Sequence, residues 1–120
     1  MYVVRDGERA ILVDFGTGAV LDALNEVGIE TVDAVLHTHH HRDQCQGDRI
    51  LNERGIPIVV PAREAGYFED VETFWRQRQL LANYDLQSDF YTLRESVQIE
   101  RQLSDYEVFR WRGLEFTALP

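Results

Sequence analysis

Val35-Leu36-His37-Thr38-His39-His40-His41-Arg42-Asp43-Gln44 contains all four histidines of this 120-residue chain. Its reading decides how the rest is arranged. A neutral imidazole is the commonest protein metal ligand, and an extended backbone places side chains i and i+2 on the same side. His39 and His41 can therefore grip one ion together, while His40 between them faces the other way. Asp43 repeats the step and adds a hard oxygen, a mixed set that suits zinc or iron. A solvated loop, a tag remnant or an incidental histidine tract explains less. The cluster sits mid-chain behind an apolar segment, and it alternates into Arg42-Asp43 instead of continuing as histidine.

Working outward, Val32 to His37 reads as a strand whose run Ala34-Val35-Leu36 is expected of a sheet covered on both faces. Upstream, Tyr2-Val3-Val4 and Ala10-Ile11-Leu12-Val13 form two strands joined by Asp6-Gly7, a dipeptide favoured in tight hairpins. Gly16 and Gly18 then loosen the backbone before a helix over Ala19 to Val27, with Val20, Ala23, Leu24 and Val27 on one face and Gly28 at its end. Strand, helix and strand in this order favour a parallel crossover. Downstream, Gln46 to Arg54 reads as one helix closed by Gly55, its N-terminus toward the histidines. Pro57-Ile58-Val59-Val60-Pro61 is a further strand. The predicted fold is α/β, a mixed sheet flanked by helices with the histidines beyond the carboxyl ends of its strands, where open α/β sheets place their chemistry.

The segment Thr38-His39-His40-His41-Arg42-Asp43-Gln44 resembles the T-H-x-H-x-D-H signature of the metallo-β-lactamase superfamily. Ala10 to Gly18, a strand ending in Asp14 and a glycine turn, resembles that family's first motif, and the likeness runs from Ala10 to Pro61. The resemblance implies the N-terminal half of an αββα sandwich and a metal-dependent hydrolase. Its substrate would be a small molecule: an ester, lactone, thioester, amide or phosphodiester attacked by a metal-bound hydroxide.

It also implies His39, His41 and Asp43 as ligands of one or two zinc ions, with iron or manganese as alternatives, and Asp43 as the catalytic carboxylate. Asp14 would orient a metal-bound histidine, although an aspartate capping the next helix reads almost as well. His37 is a second supporting candidate beside a purely structural role. Gln44 departs from the pattern. Many members have a histidine there for a second ion, and an amide oxygen is a poorer zinc ligand. Cys45 is expected to face away from the ligands.

Beyond Pro61 the likeness thins. Val71, Phe74, Trp75 and Leu81 predict a helix from about Val71 to Tyr84 inside a helical insertion over about 62–105. Its aromatics, with Tyr67, Phe68, Phe90 and Tyr91, pack a core or wall a substrate pocket. Tyr106 to Trp111 and Leu114 to Leu119 predict a hairpin around Arg112-Gly113, with Leu114, Phe116 and Ala118 inward.

No histidine follows His41 in the sequence, whereas a catalytic zinc typically takes three protein ligands and an open position. The expectation is thus a single domain over residues 1–120 that is the N-terminal part of a longer one and inactive alone. The alternative is a truncated or degenerate, non-catalytic module of the same fold. A di-iron redox enzyme calls for more carboxylates than Asp43.

Composition bounds the partners. A net charge of −9 offers no basic groove for nucleic acid. No apolar run approaches the ~18 residues of a membrane span, and the start is unlike a signal peptide. One cysteine permits no internal disulfide, so a cytoplasmic location is expected.

Overall fold

The computed structural model describes residues 1–74, 76, 93 and 95–120. Five strands form one sheet in the order β1-β2-β3-β4-β5: β1 Tyr2–Asp6, β2 Arg9–Val13, β3 Thr31–Leu36, β4 Ile58–Pro61 and β5 Arg101–Leu103. The first pair is antiparallel and the other three are parallel. The predicted mixed sheet is therefore the observed one. Asp6 pairs with Arg9, and Gly7 at φ +63° supplies the left-handed backbone that so short a turn demands.

Alternation along the strands sorts side chains to two faces. Ala10, Leu12, Val35, Ile58 and Val60 point to one face, where they meet Leu21 and Leu24 of α1 (Val20–Glu26), Leu51 of α3 (Asp48–Arg54) and Phe68 of α4 (Ala65–Glu69). Ile11, Ala34, Leu36, Val59 and Leu103 point to the other, against Trp111, Phe109 and Phe116 of the hairpin β6 (Val108–Trp111) and β7 (Leu114–Thr117). Each fully buried Leu, Ile, Val or Phe contributes about 1.5–3 kcal/mol, so both faces hold the sheet. Trp111 Nε1 donates to Asp33 Oδ2 at 2.8 Å, and Arg9 Nε donates to the same oxygen at 2.9 Å. Those bonds tie the hairpin to β2 and β3.

Several elements differ from the sequence reading. The helix predicted over Gln46 to Arg54 is α3, which begins only at Asp48, and a separate short helix, α2 (Arg42–Cys45), precedes it, the two broken apart at Gln46-Gly47. A close backbone crossing explains the break. A Cβ on Gly47 would lie 2.6 Å from the Thr17 carbonyl carbon and 2.8 Å from the Gly18 nitrogen, and Gly47 N–H donates to Gly16 O at 2.7 Å. The segment over 62–105 is not a helical insertion throughout, because Arg101–Leu103 completes the main sheet beside β4. Leu114, expected inward, is 44% exposed at the hairpin tip. Residues 71–74 and 76 are helical. The rest of the helix predicted to Tyr84, with Trp75, Leu81, Phe90 and Tyr91, lies outside the described residues.

Candidate metal centre

β2 and β3 run side by side, and both end at the site. Asp14 follows β2, and its N–H donates to Leu36 O at 2.8 Å. The glycine loop then folds over α2: Phe15 and Gly16 N–H both donate to Gln44 O, at 2.8 and 2.7 Å. The two segments that carry the family likeness are thereby stitched together through main-chain bonds.

At the mouth of this junction, His39, His41 and Asp43 bring their ligand atoms within 4.8 Å of one another. His39 is half-buried, whereas His41 and Asp43 are exposed. The His39 and His41 rings meet edge to face with centroids 4.6 Å apart. The backbone of His41 is extended, at φ −59° and ψ 137°, and caps α2. Asp43 reaches the pair from the first turn of that helix, not by continued strand alternation. Two imidazoles and a carboxylate form a donor set suited to zinc and to neighbouring first-row metals. Gln44 Nε2 donates to Asp43 Oδ2 at 3.0 Å, so its amide orients the carboxylate.

Behind the mouth stands a buried polar layer. Asp14, only 5% exposed, has φ +60°, a conformation that costs a non-glycine residue energy and clusters at functional sites. Its Oδ1 accepts from Thr38 N–H at 2.9 Å, and its Oδ2 accepts from the Thr38 hydroxyl at 3.0 Å. Since that hydroxyl proton is committed to Asp14, Oγ1 accepts from His39 Nδ1–H at 2.8 Å. This arrangement leaves His39 Nε2 with its lone pair for an ion. The helix-capping alternative for Asp14 fails, because α1 is capped at Ala19 with no side-chain bond.

His37 sits beneath, its side chain fully buried between Asp14, at 3.5 Å from Nδ1, and Asp48, at 2.9 Å from Nε2. Burial alone would lower the pKa of this imidazole, but hydrogen bonds and charge from the two aspartates outweigh it and raise the value. For Asp14 the balance runs the other way. Burial would raise its carboxyl, yet bonds from His37 and Thr38 hold it below the usual range. Burial dominates at Asp48 and pushes its carboxyl up.

His40 turns to the flank. Its N–H donates to Glu64 Oε2 at 3.0 Å, its Nδ1 bonds the same oxygen, and its ring stacks on Tyr67 with centroids 4.2 Å apart. The Cys45 thiol donates to His40 O and His41 O, at 3.2 Å each. Burial, with Asp48 and Asp14 nearby, drives its pKa far up, so it stays a protonated strut beneath the loop. Among the described residues of the aromatic group considered as a pocket wall, Phe68 belongs to the core, fully buried, whereas Tyr67 and Phe74 stay near the loop, against the His40 ring. Asp48 is the residue the sequence reading missed. An aspartate opening a helix reads as a complement to the helix dipole, and nothing in the one-dimensional pattern couples it to His37.

The family profile of the metallo-β-lactamase superfamily matches residues 1–120. The chain belongs to that superfamily. Hydroxyacylglutathione hydrolase of Stenotrophomonas maltophilia is 36% identical over 64 residues, 52% of this chain and 25% of that protein. The enzyme of the same name from Albidiferax ferrireducens is 36% identical over 66 residues, 53% and 26% of the two chains. The chain thus spans about a quarter of the length of these curated relatives.

Among solved structures, native FEZ-1 metallo-β-lactamase from Legionella gormanii superposes with a TM-score of 0.75 at 15% identity, over 98% of this chain and 45% of that one. BLEG-1 B3 metallo-β-lactamase gives 0.64 at 19% identity, over 96% and 52%. At such identities the likeness concerns the fold. It establishes the metallo-β-lactamase architecture for a chain about half as long as those enzymes.

Proposed function

We propose that this chain carries the metal-binding half of a metal-dependent hydrolase acting on a small-molecule acyl compound. The observation that carries the reading is the convergence of His39, His41 and Asp43 at the mouth of the β2–β3 junction. His39, through Nε2, His41 and Asp43 would hold one ion, for which zinc suits the donors best and iron or manganese are the alternatives. When bound, such an ion acidifies a water and polarises the oxygen of the group under attack. The chain's own residues do the rest. Thr38 fixes the His39 tautomer, Asp14 fixes Thr38, and the Gln44 amide holds the Asp43 carboxylate in the orientation that receives a ligand or a proton.

Gln44 is engaged with Asp43, which supports one ion at these residues over two. The name of the hydroxyacylglutathione hydrolases puts acyl esters and thioesters ahead of phosphodiesters. The same reading makes residues 1–120 one part of a larger domain that supplies the remaining ligands. Among the described residues no helix is long and apolar enough to cross a membrane, and we place the enzyme in the cytoplasm with no nucleic-acid partner. Metal analysis of the full natural protein, with a panel of ester and thioester substrates, tests this. About one equivalent of zinc and chelator-sensitive acyl hydrolysis are expected. No bound metal and no hydrolysis would leave a non-catalytic module of the same fold, and hydrolysis indifferent to chelators would overturn the metal-dependent reading.

A further inference from the structure

Asp48 and His37 have no ordinary reason to be where they are. Asp48 is 0% exposed in the first turn of α3, and its two oxygens lie 3.0 and 2.9 Å from His37 Nε2. The opposite ring nitrogen faces Asp14 at 3.5 Å, and the ring stacks on Phe68 with centroids 5.3 Å apart. A carboxylate at each edge and an aromatic face leave the imidazole one orientation. Buried ionic pairs stabilise folds poorly beside apolar packing of similar volume, so the advantage of this pair lies in what it orients.

We propose that Asp48 and His37 form a positioning pair for the metal ligand His39. The route is a chain of contacts: Asp48 holds His37, His37 backs Asp14, Asp14 takes the Thr38 N–H and hydroxyl, and the hydroxyl takes His39 Nδ1–H. Removing the pair takes away the support behind Asp14, which then holds only to Thr38, so that the two shift together and the His39 ring loses its fixed angle. The pair spans the core from α3 to the residue that follows β3, coupling the helix behind the histidine loop to the ligand in front of it. This inference rests on His39 being a ligand, as proposed above.

The test uses the full natural protein, Asp48→Asn, and the double replacement His37→Leu with Asp48→Leu. The double variant removes both polar partners and leaves no unpaired buried group. Zinc affinity is read by competition with a chromophoric chelator, ligand geometry by the visible spectrum of the cobalt-loaded protein, and folding by circular dichroism and melting. Loss of groups that orient a metal-bound histidine weakens metal about ten- to a hundredfold. The expected result is that loss in Asp48→Asn and in the double variant, with a changed cobalt spectrum and a folded chain. Native zinc affinity and a native cobalt spectrum in folded Asp48→Asn or in the folded double variant would overturn the positioning role. Failure of the unaltered protein to bind zinc would remove its foundation, and is told apart because it needs no variant.

Discussion

The two sides of the histidine loop obey different physics. In front, His41 and Asp43 are exposed and His39 half-buried. Behind, Asp14, His37 and Asp48 are the buried charged and polar residues of the described core. They make a continuous contact chain into the mouth. Water can replace a lost partner in front. Behind, nothing can, since an unpaired group there bears its whole desolvation cost. In the proposed site the candidate ligands stay accessible and the polar residues behind them stay enclosed, so the enclosed layer is where stability is expected to be most sensitive.

The largest effect separates the two layers directly. Asp48→Ala strands a buried imidazole and is expected to cost about 3–5 kcal/mol of folding stability, whereas exposed Asp43→Ala changes it by about 0.5 kcal/mol or less. Urea titrations of both variants check the contrast, and equal losses would erase it. Next comes the crossing that seats the loop. Gly47→Ala forces its new methyl into the Thr17-Gly18 backbone and is expected to cost about 1–3 kcal/mol. Gly66→Ala, which meets nothing within 4 Å in α4, is expected to stabilise by about 0.4–1 kcal/mol.

A pH series sharpens the comparison further. Because the folded Asp14 pKa lies below its ordinary 3.8, its contribution is fully present above that value and is lost as pH falls through the lower folded one. Asp14→Asn is expected to flatten this acid limb of the stability curve, and an acid limb unchanged in that variant would contradict it. The smallest effect concerns Cys45. Buried, with its proton committed to the His40 and His41 carbonyls, it is expected to resist thiol reagents in the native protein and to react once on unfolding. Fast native labelling would show that the loop's floor is open.

What the sequence made legible follows from periodicity and spacing. The apolar runs Ala10-Ile11-Leu12-Val13 and Ala34-Val35-Leu36 mark strands, the second of them expected to be covered on both faces, and both place side chains in the two core layers. The His39, His41 and Asp43 spacing is a local pattern, readable without any coordinates. Residues joined only by tertiary contact were not legible. Asp48 gives no sign in the chain that it will meet His37, eleven positions away. Gly47 carries a helix break that comes from the distant Thr17-Gly18 backbone. Arg101-Gln102-Leu103 is too short and too polar to announce a strand, and it becomes one because β4 offers an unpaired edge. The helix over Gln46 to Arg54 was overextended for the same reason, since amphipathic spacing cannot register a steric crossing.

The most direct test of the central claim is zinc binding by the full natural protein and three single alanine variants, His39→Ala, His40→Ala and His41→Ala, read as equivalents of zinc retained after gel filtration. About one equivalent is expected in the native protein and in His40→Ala, whose ring serves Glu64 and Tyr67, and loss of the metal in the other two. Equal retention in all three variants, or equal loss in all three, would contradict the convergence of His39 and His41 on one ion.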